Sequence, residues 1–395
     1  MILHQHLKTP ETGGALRSYY LAKALADAGV EVVFITGRNE KKYEIRNVDG
    51  IEVHYLPIAY DNAFGFASRS SSFVRFAFKS YSIAKKIKDV SVCYAISVPL
   101  TTGLPAIWLK KEKKIPFIFE VGDLWPDAPI QLGFITNSLF KAFLYRIEKW
   151  IYREADSVVA LSEPIRNSIL KKVPEKKVHL IPNMADCEFY FPKEKKGIGH
   201  GALSDAINEK FVVSYIGATG VANGLDYFLE CARNSAKASL PIHFILAGEG
   251  AQLEHLKKSA QRLALSNITF TGLVNRDQVN EIMKVTDAIF VCYKNVPILE
   301  TGSPNKYFDG LAAGKLIINN FGGWIKNEIE ENKCGISLDP KHPTDFVKKI
   351  EPFLHERLLL ASYQTASRQL AEKKYSRSKL SQEFASIFLP YSQAR

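Results

Sequence analysis

Residues 211–224 read FVVSYIGATGVANG, and residues 242–250 read IHFILAGEG. Each is a short β-branched, apolar run that stops at a glycine turn before a segment of helical period. Strands punctuated in this way and separated by helices are the signature of βαβ units with a parallel sheet. The pattern continues at Ile268–Thr271, Ala288–Tyr293 and Leu316–Asn319. It also extends back through the first half, at Val30–Thr36, Ile51–Pro57, Val92–Ser97, Phe117–Val121, Ser157–Leu161 and Val178–Ile181. An early helix carries Leu16, Tyr19 and Tyr20 and runs through Ala28 to a C-terminal Gly29.

Two such series predict two facing, doubly wound α/β domains with a cleft between them. At 395 residues the chain is long enough for two cores of ordinary size. The boundaries fall at residues 1–195 and 205–374, separated by the aperiodic, Lys- and Gly-rich stretch FPKEKKGIGHGALS at 191–204. A last amphipathic helix is expected from about Tyr375 through Phe388. In doubly wound sheets ligands bind outside the carboxyl ends of the strands, so the loops there are where chemistry is sought.

Composition narrows the classes. Apolar residues make up 46% and charged residues 24%, the balance of a packed soluble protein. No apolar run of about 18 residues interrupts it, and no basic-then-apolar leader precedes Ile2, which predicts a cytoplasmic protein. The five cysteines are odd in number and scattered, without CxxC spacing, so neither a disulfide framework nor a zinc site is expected. The net charge of +11 is uneven: residues 1–196 hold 29 Lys and Arg against 21 Asp and Glu, and so carry +8 of it. Clusters at Lys85–Lys88, Lys110–Lys114 and Lys171–Lys177 suit anionic lipid, a phosphorylated acceptor or simple solvation at helix ends. Phe64, Phe66, Phe73, Phe76 and Phe78 precede the first cluster, a spacing that fits either an interfacial patch or a buried helix.

Four loops combine glycine with polar or charged residues. The Thr9–Gly14 loop brings Gly13 and Gly14 to the start of the helix bearing Arg17, where free N–H groups face an anion. Gly217–Gly224 supplies Gly220 and Asn223 but not GxGxxG spacing, which argues against a dinucleotide-dependent oxidoreductase. Ala247–Gly250 presents Glu249. The richest is Glu300–Lys315, in which Thr301, Gly302, Ser303 and Asn305 lead into a helix with Lys306 and Asp309 three apart on one face. Lys306 there suits a diphosphate, and Asp309 suits ribose hydroxyls.

These loops, in this order and over nearly the whole chain, resemble family 4 of the retaining glycosyltransferases, which have the two-Rossmann GT-B fold. Ile181-Pro182-Asn183-Met184-Ala185-Asp186 and Phe270-Thr271-Gly272 belong to the resemblance. So do Asp123-Leu124-Trp125-Pro126 and Ser303-Pro304-Asn305-Lys306, which are similar to bacterial members that build O-antigen, capsule and other envelope polysaccharides. The resemblance implies a nucleotide-sugar donor, UDP-linked by preference, in the second domain. It also implies a glycan or polyprenyl-diphosphate-linked acceptor in the first, reached at an anionic membrane surface, and a final helix that crosses back onto the first domain. Retention of anomeric configuration without a metal ion or other cofactor follows from the same likeness, and the chain has no DxD motif.

The chain departs from the family at three places. The usual pair of glutamates eight apart falls on Thr301 and Asp309, with Glu300 one step out of register. The usual cations on the first turn of the second domain are missing from Ala218–Asn223, leaving Lys306, helped by Arg17, for the phosphates. The frequent histidine falls on Gly122, so Asp123, and after it Glu120, are the catalytic candidates. A nucleotide-sugar epimerase would share the donor pocket, and a nonenzymatic anion or nucleic-acid binder would share the charge. The sequence carries no recognisable nucleic-acid-binding motif, which argues against a nucleic-acid partner.

Overall fold

The computed structural model describes residues 1–61, 64–192, 207 and 209–392. Its first sheet contains β1 (Ile2–Leu3), β2 (Val33–Arg38), β3 (Glu44–Val48), β4 (Ile51–Pro57), β5 (Cys93–Ile96), β6 (Phe117–Val121), β7 (Ser157–Ala160) and β8 (Val178–Leu180). They lie in the order β3-β4-β2-β1-β5-β6-β7-β8, parallel except for the edge strand β3. The second sheet contains β9 (Phe211–Ile216), β10 (Ile242–Ala247), β11 (Ile268–Gly272), β12 (Ala288–Val291), β13 (Leu316–Asn319) and β14 (Gly335–Ser337). It is parallel throughout, in the order β11-β10-β9-β12-β13-β14. The chain therefore forms two α/β domains, each doubly wound.

The apolar runs form strands because both of their faces are covered. Leu3, Ile35, Cys93, Ala95, Phe117 and Phe119 fill the core on one face of the first sheet, while Ile2, Phe34, Tyr94, Ile96 and Ile118 fill that on the other. Successive side chains alternate between the two, as a period of two requires. In the second sheet Val213, Tyr215, Phe244, Leu246 and Phe290 share one core, and the alternate residues Ile289, Val291 and Ile317 another. The polar edge strand β3 escaped the sequence pattern because its Glu44 and Arg46 pair with each other in solvent, a charged edge that discourages pairing with another chain.

The helix Arg17–Asp27 ends as its glycine implies. Gly29 takes φ +81°, its N–H reaches the carbonyl of Ala26, and the N–H of Val30 reaches that of Leu25. That pair of bonds is a Schellman cap. The stretch at 191–204, apart from Phe191 and Pro192, lies outside the described residues.

Two seams join the domains. The segment after β12 reaches the first domain, where Ile298 is buried with Leu124 and Leu161 and its N–H donates to Gln131 Oε1 at 3.1 Å. The C-terminal chain runs the other way: the helix Arg377–Ser386 packs on Arg17–Asp27, with Phe384 and Phe388 in the same core as Ile2 and Tyr94. No helix among the described residues is long and apolar enough to cross a membrane.

Candidate active site

The carboxyl ends of β9, β10 and β12 bring three loops of the second domain together. Gly217 and Gly248 have φ of +144° and +137°, and a Cβ on Gly248 would lie 1.9 Å from the Gly217 carbonyl oxygen. These two backbones pass so closely that only glycine fits. The turn is tied by Gly217 N–H to Ala247 carbonyl at 2.9 Å and by Thr219 N–H to Glu249 carbonyl at 2.9 Å. Asn223 folds back, its Nδ2 donating to the Ala218 carbonyl at 2.9 Å. It stabilises the loop itself, and Gly220 packs against it. The Glu249 side chain is exposed at the rim.

Lys306, in the first turn of the helix Asn305–Ala312, closes this pocket. Its stem lies 3.3 Å from where a Gly217 Cβ would stand, and its ammonium sits 4.9 Å from the Tyr215 ring centroid and 5.7 Å from that of Tyr293. Aromatic faces attract a cation but do not neutralise it. Burial pushes the Lys306 ammonium down to about 8. Three residues on, burial and the nearby Asp186 push the Asp309 carboxyl up to about 7 against the opposing pull of Arg276 and Lys306. The sequence pairing of Lys306 with Asp309 is thus a neighbourhood of desolvated, unequal charges, the kind of place where ligand groups complete the electrostatics.

Across the cleft, Asp123 follows β6. It is open to solvent yet closely surrounded, and burial raises its carboxyl above the usual range. The Tyr293 hydroxyl is pushed up chiefly by burial and then by the charge of Asp123 on the other domain. Tyr293 is held on both backbone sides by Asn320, which accepts from its N–H and donates to its carbonyl, each at 3.0 Å.

Glu120 and Arg17 do not join this group. Glu120 is 1% exposed and takes Arg17 Nη2 at 2.8 Å, Arg17 Nε at 3.1 Å and the Tyr94 hydroxyl. Arg17 also donates to the carbonyls of Ile181 and Pro182. A guanidinium with these partners holds the carboxyl ends of the first sheet together and is not free for a phosphate, and its carboxylate is not free for a sugar. The expectation for both is corrected accordingly. β6 directs Glu120 into the helix-covered face, and the loop two residues later turns Asp123 out.

The Glu300–Asn305 loop serves the seam as much as the pocket. Thr301 Oγ1 donates to the Ile298 carbonyl at 2.7 Å, and the Thr301 carbonyl accepts from Ser162 Oγ at 2.6 Å. Ser303 accepts Asn183 Nδ2 through its carbonyl, and the Gly302 carbonyl accepts Trp324 Nε1 at 2.9 Å. Asn305 is exposed at the helix start. Glu300 lies against the Gly322–Gly323 turn, where a Gly322 Cβ would come within 3.0 Å of its Oε1. Gly13 and Gly14 take φ of +65° and +93°, and a Gly13 Cβ would stand 3.7 Å from the Arg276 backbone nitrogen, so this loop abuts the second domain.

Sequence reading assigned no role to Arg276, Asp186 or Tyr293. Arg276 ion-pairs with Asp186 and lies 3.6 Å over the Phe189 ring, while Asp186 also takes Arg377 at 3.0 Å and the Tyr20 hydroxyl at 2.9 Å. This hub ties both domains to the C-terminal chain. Asp186 stood within a quoted motif, but nothing local marks a residue whose partners lie 90 and 191 positions away.

Comparison with known proteins shows the family. Residues 12–184 match the family model described as "Glycosyl transferase 4-like domain", and residues 204–372 match "Glycosyl transferases group 1". The chain belongs to the GT-B glycosyltransferases of family 4. It is similar to alpha-D-kanosaminyltransferase of Streptomyces kanamyceticus, 20% identical over 64% of this chain and 66% of that protein. It is also similar to TuaH of Bacillus subtilis, named for teichuronic acid biosynthesis, 25% identical over 60% and 58%. The chain thus spans about two thirds or less of the length of these relatives. Sucrose-phosphate synthase from Thermosynechococcus elongatus shares the fold at a TM-score of 0.77, with 15% identity over 100% of this chain and 99% of the other. HepE of Anabaena, solved with UDP-glucose, does so at 0.68, with 14% identity over 98% of each.

Proposed function

We propose that this protein transfers a sugar with retention from a nucleotide diphosphate, UDP by preference, to a glycan or polyprenyl-diphosphate-linked sugar in the building of an envelope polysaccharide. The observation that carries the reading is Lys306: an ammonium held over two aromatic rings beside a glycine turn, at the point where the second sheet's strands end. A diphosphate is the ligand that such a cation and such close backbone suit. The UDP-glucose bound by HepE and the polysaccharide named for TuaH support the donor and acceptor classes.

In the reaction the bond between the anomeric carbon and the β-phosphate oxygen breaks, and a bond to an acceptor hydroxyl oxygen forms on the same face. The acceptor proton passes to the departing phosphate. Lys306 and the loop N–H groups meet the charge growing on that phosphate, and Asp123 positions the acceptor and faces the oxocarbenium-like centre. Asp309 accepts from the ribose hydroxyls. The residues assigned these tasks need no metal ion.

A lipid-linked acceptor requires contact with a bilayer, and the +8 carried by residues 1–196 supports this. The patch is smaller than its sequence suggests. Phe73 and Phe76 of the helix Phe66–Ala84 are buried in the core, while Phe64, Val74 and Phe78 are exposed. The side chain of Phe66 lies outside what is described. Thermal-shift screening against UDP-, GDP- and dTDP-sugars tests the donor, since a ligand of the native state raises its melting point. No shift with any nucleotide sugar would overturn the reading. Cosedimentation with anionic liposomes at low and high salt tests the membrane contact, and indifference to both lipid charge and salt would remove it.

A further inference from the structure

On the first domain, the loops after β1, β4 and β6 carry His6, Tyr60 and Trp125, all at the carboxyl edge of the sheet and so at the cleft. Their rings form a continuous row through Phe73. His6 lies 4.3 Å from Tyr60 by centroid, Tyr60 stacks on Phe73 at 5.7 Å, and Phe73 meets Trp125 edge-on at 6.2 Å. Phe73 is buried, whereas His6, Tyr60 and Trp125 are half-exposed. The row is thus anchored in the core at one member and open at the other three. Trp125 stands two residues from Asp123.

The chemistry of the row is specific. Burial pushes the imidazoles of His4 and His6 down to about 4 and about 3, so both are uncharged at neutral pH. On the same loop the buried Gln5 Oε1 and His4 Nδ1 have no hydrogen-bond partner. An uncharged aromatic row is a poor host for a phosphate. It suits a ring with one apolar C–H face, whose positive hydrogens rest on the negative face of an aromatic, and with hydroxyls at its rim.

We propose that the His6–Tyr60–Trp125 row is the acceptor subsite, taking a pyranose by its C–H face and presenting one of its hydroxyls beside Asp123. This inference rests on the glycosyltransferase reading and adds to it the wall on which the acceptor sugar is recognised.

The test uses the full chain with UDP bound and methyl and octyl hexopyranosides as probes, read by saturation-transfer NMR. Ring protons of at least one pyranoside should be saturated by the wild-type protein. The signal should fall at least about fivefold in Trp125→Leu and in Tyr60→Leu, and persist in Tyr60→Phe, which keeps the ring. Calorimetric UDP affinity should be unchanged in all three, which also shows that they are folded. Unchanged sugar signal in both leucine variants overturns the proposal, as does a UDP-binding wild-type protein that saturates none of the probes. A wild-type protein that binds no nucleoside diphosphate takes down the underlying reading as well, and is told apart by the calorimetry.

Discussion

At Lys306 a single cation approaches a glycine turn, Ala218–Asn223, that carries none of its own, and its environment sets a pH signature. In the free protein it loses its proton near pH 8, whereas a bound diphosphate favours the charged form. Binding above pH 8 must therefore take up a proton, and affinity for a UDP-sugar should fall by up to about tenfold per pH unit there. Lys306→Ala should weaken UDP binding by about 1–3 kcal/mol, as loss of a charge-assisted contact does, and abolish this slope. Calorimetry at pH 7 and pH 9 reads both.

Asp309 works in the opposite sense. Its folded carboxyl titrates near pH 7, above the unfolded value of 3.8, so the native state holds the extra proton between these limits. Its contribution to stability is intact below pH 4 and is lost as pH rises through 7. Asp309→Asn should accordingly melt higher than the parent at pH 8 and match it at pH 4, while its Michaelis constant for the donor rises. For Asp123, whose proposed interaction grows with charge in the transition state, Asp123→Asn should cut turnover by tenfold or more with little change in donor affinity. Full activity would remove it from the mechanism.

At the scale of elements, the pocket exists because two loops touch through their backbones. Gly248→Ala places a methyl group 1.9 Å from the Gly217 oxygen at a φ of +137°, a combination that should cost about 3 kcal/mol. It should also open the Lys306 pocket. A denaturant titration and a UDP titration together test this, since a fully stable variant with wild-type affinity contradicts the crossing. The strand and glycine pattern announced both loops, because period and turn chemistry are local. Their mutual contact was not legible, since it depends on how β9 and β10 pair.

For the whole molecule, the C-terminal chain runs from the second domain back onto the core of the first, which predicts that the two unfold together. Phe384 is fully buried against Tyr94 and Phe388, each ring centroid 5.0 Å away. Phe384→Ala should cost about 3–5 kcal/mol even though it lies far from the first domain in sequence. Asp186, shared by Arg276 and Arg377, provides the polar counterpart of that apolar contact. Chemical denaturation followed by tryptophan fluorescence tests the coupling. A first domain that unfolds at the parent's midpoint in Phe384→Ala would show the tail to be a passenger.

The sequence by itself determined the two α/β domains and most of their strands, because alternation of β-branched runs with glycine turns and helical segments is written residue by residue. It also marked Asp123, two positions past a strand end, and Lys306 and Asp309, three apart on a helix opened by a loop of glycine and small polar residues. Only the tertiary structure decided which charges stay free. Arg17 and Glu120 occupy loop-edge positions as suggestive as Asp123 does, yet 103 residues of chain fold back to pair them. An ion pair between distant segments satisfies both partners, and no local pattern records it.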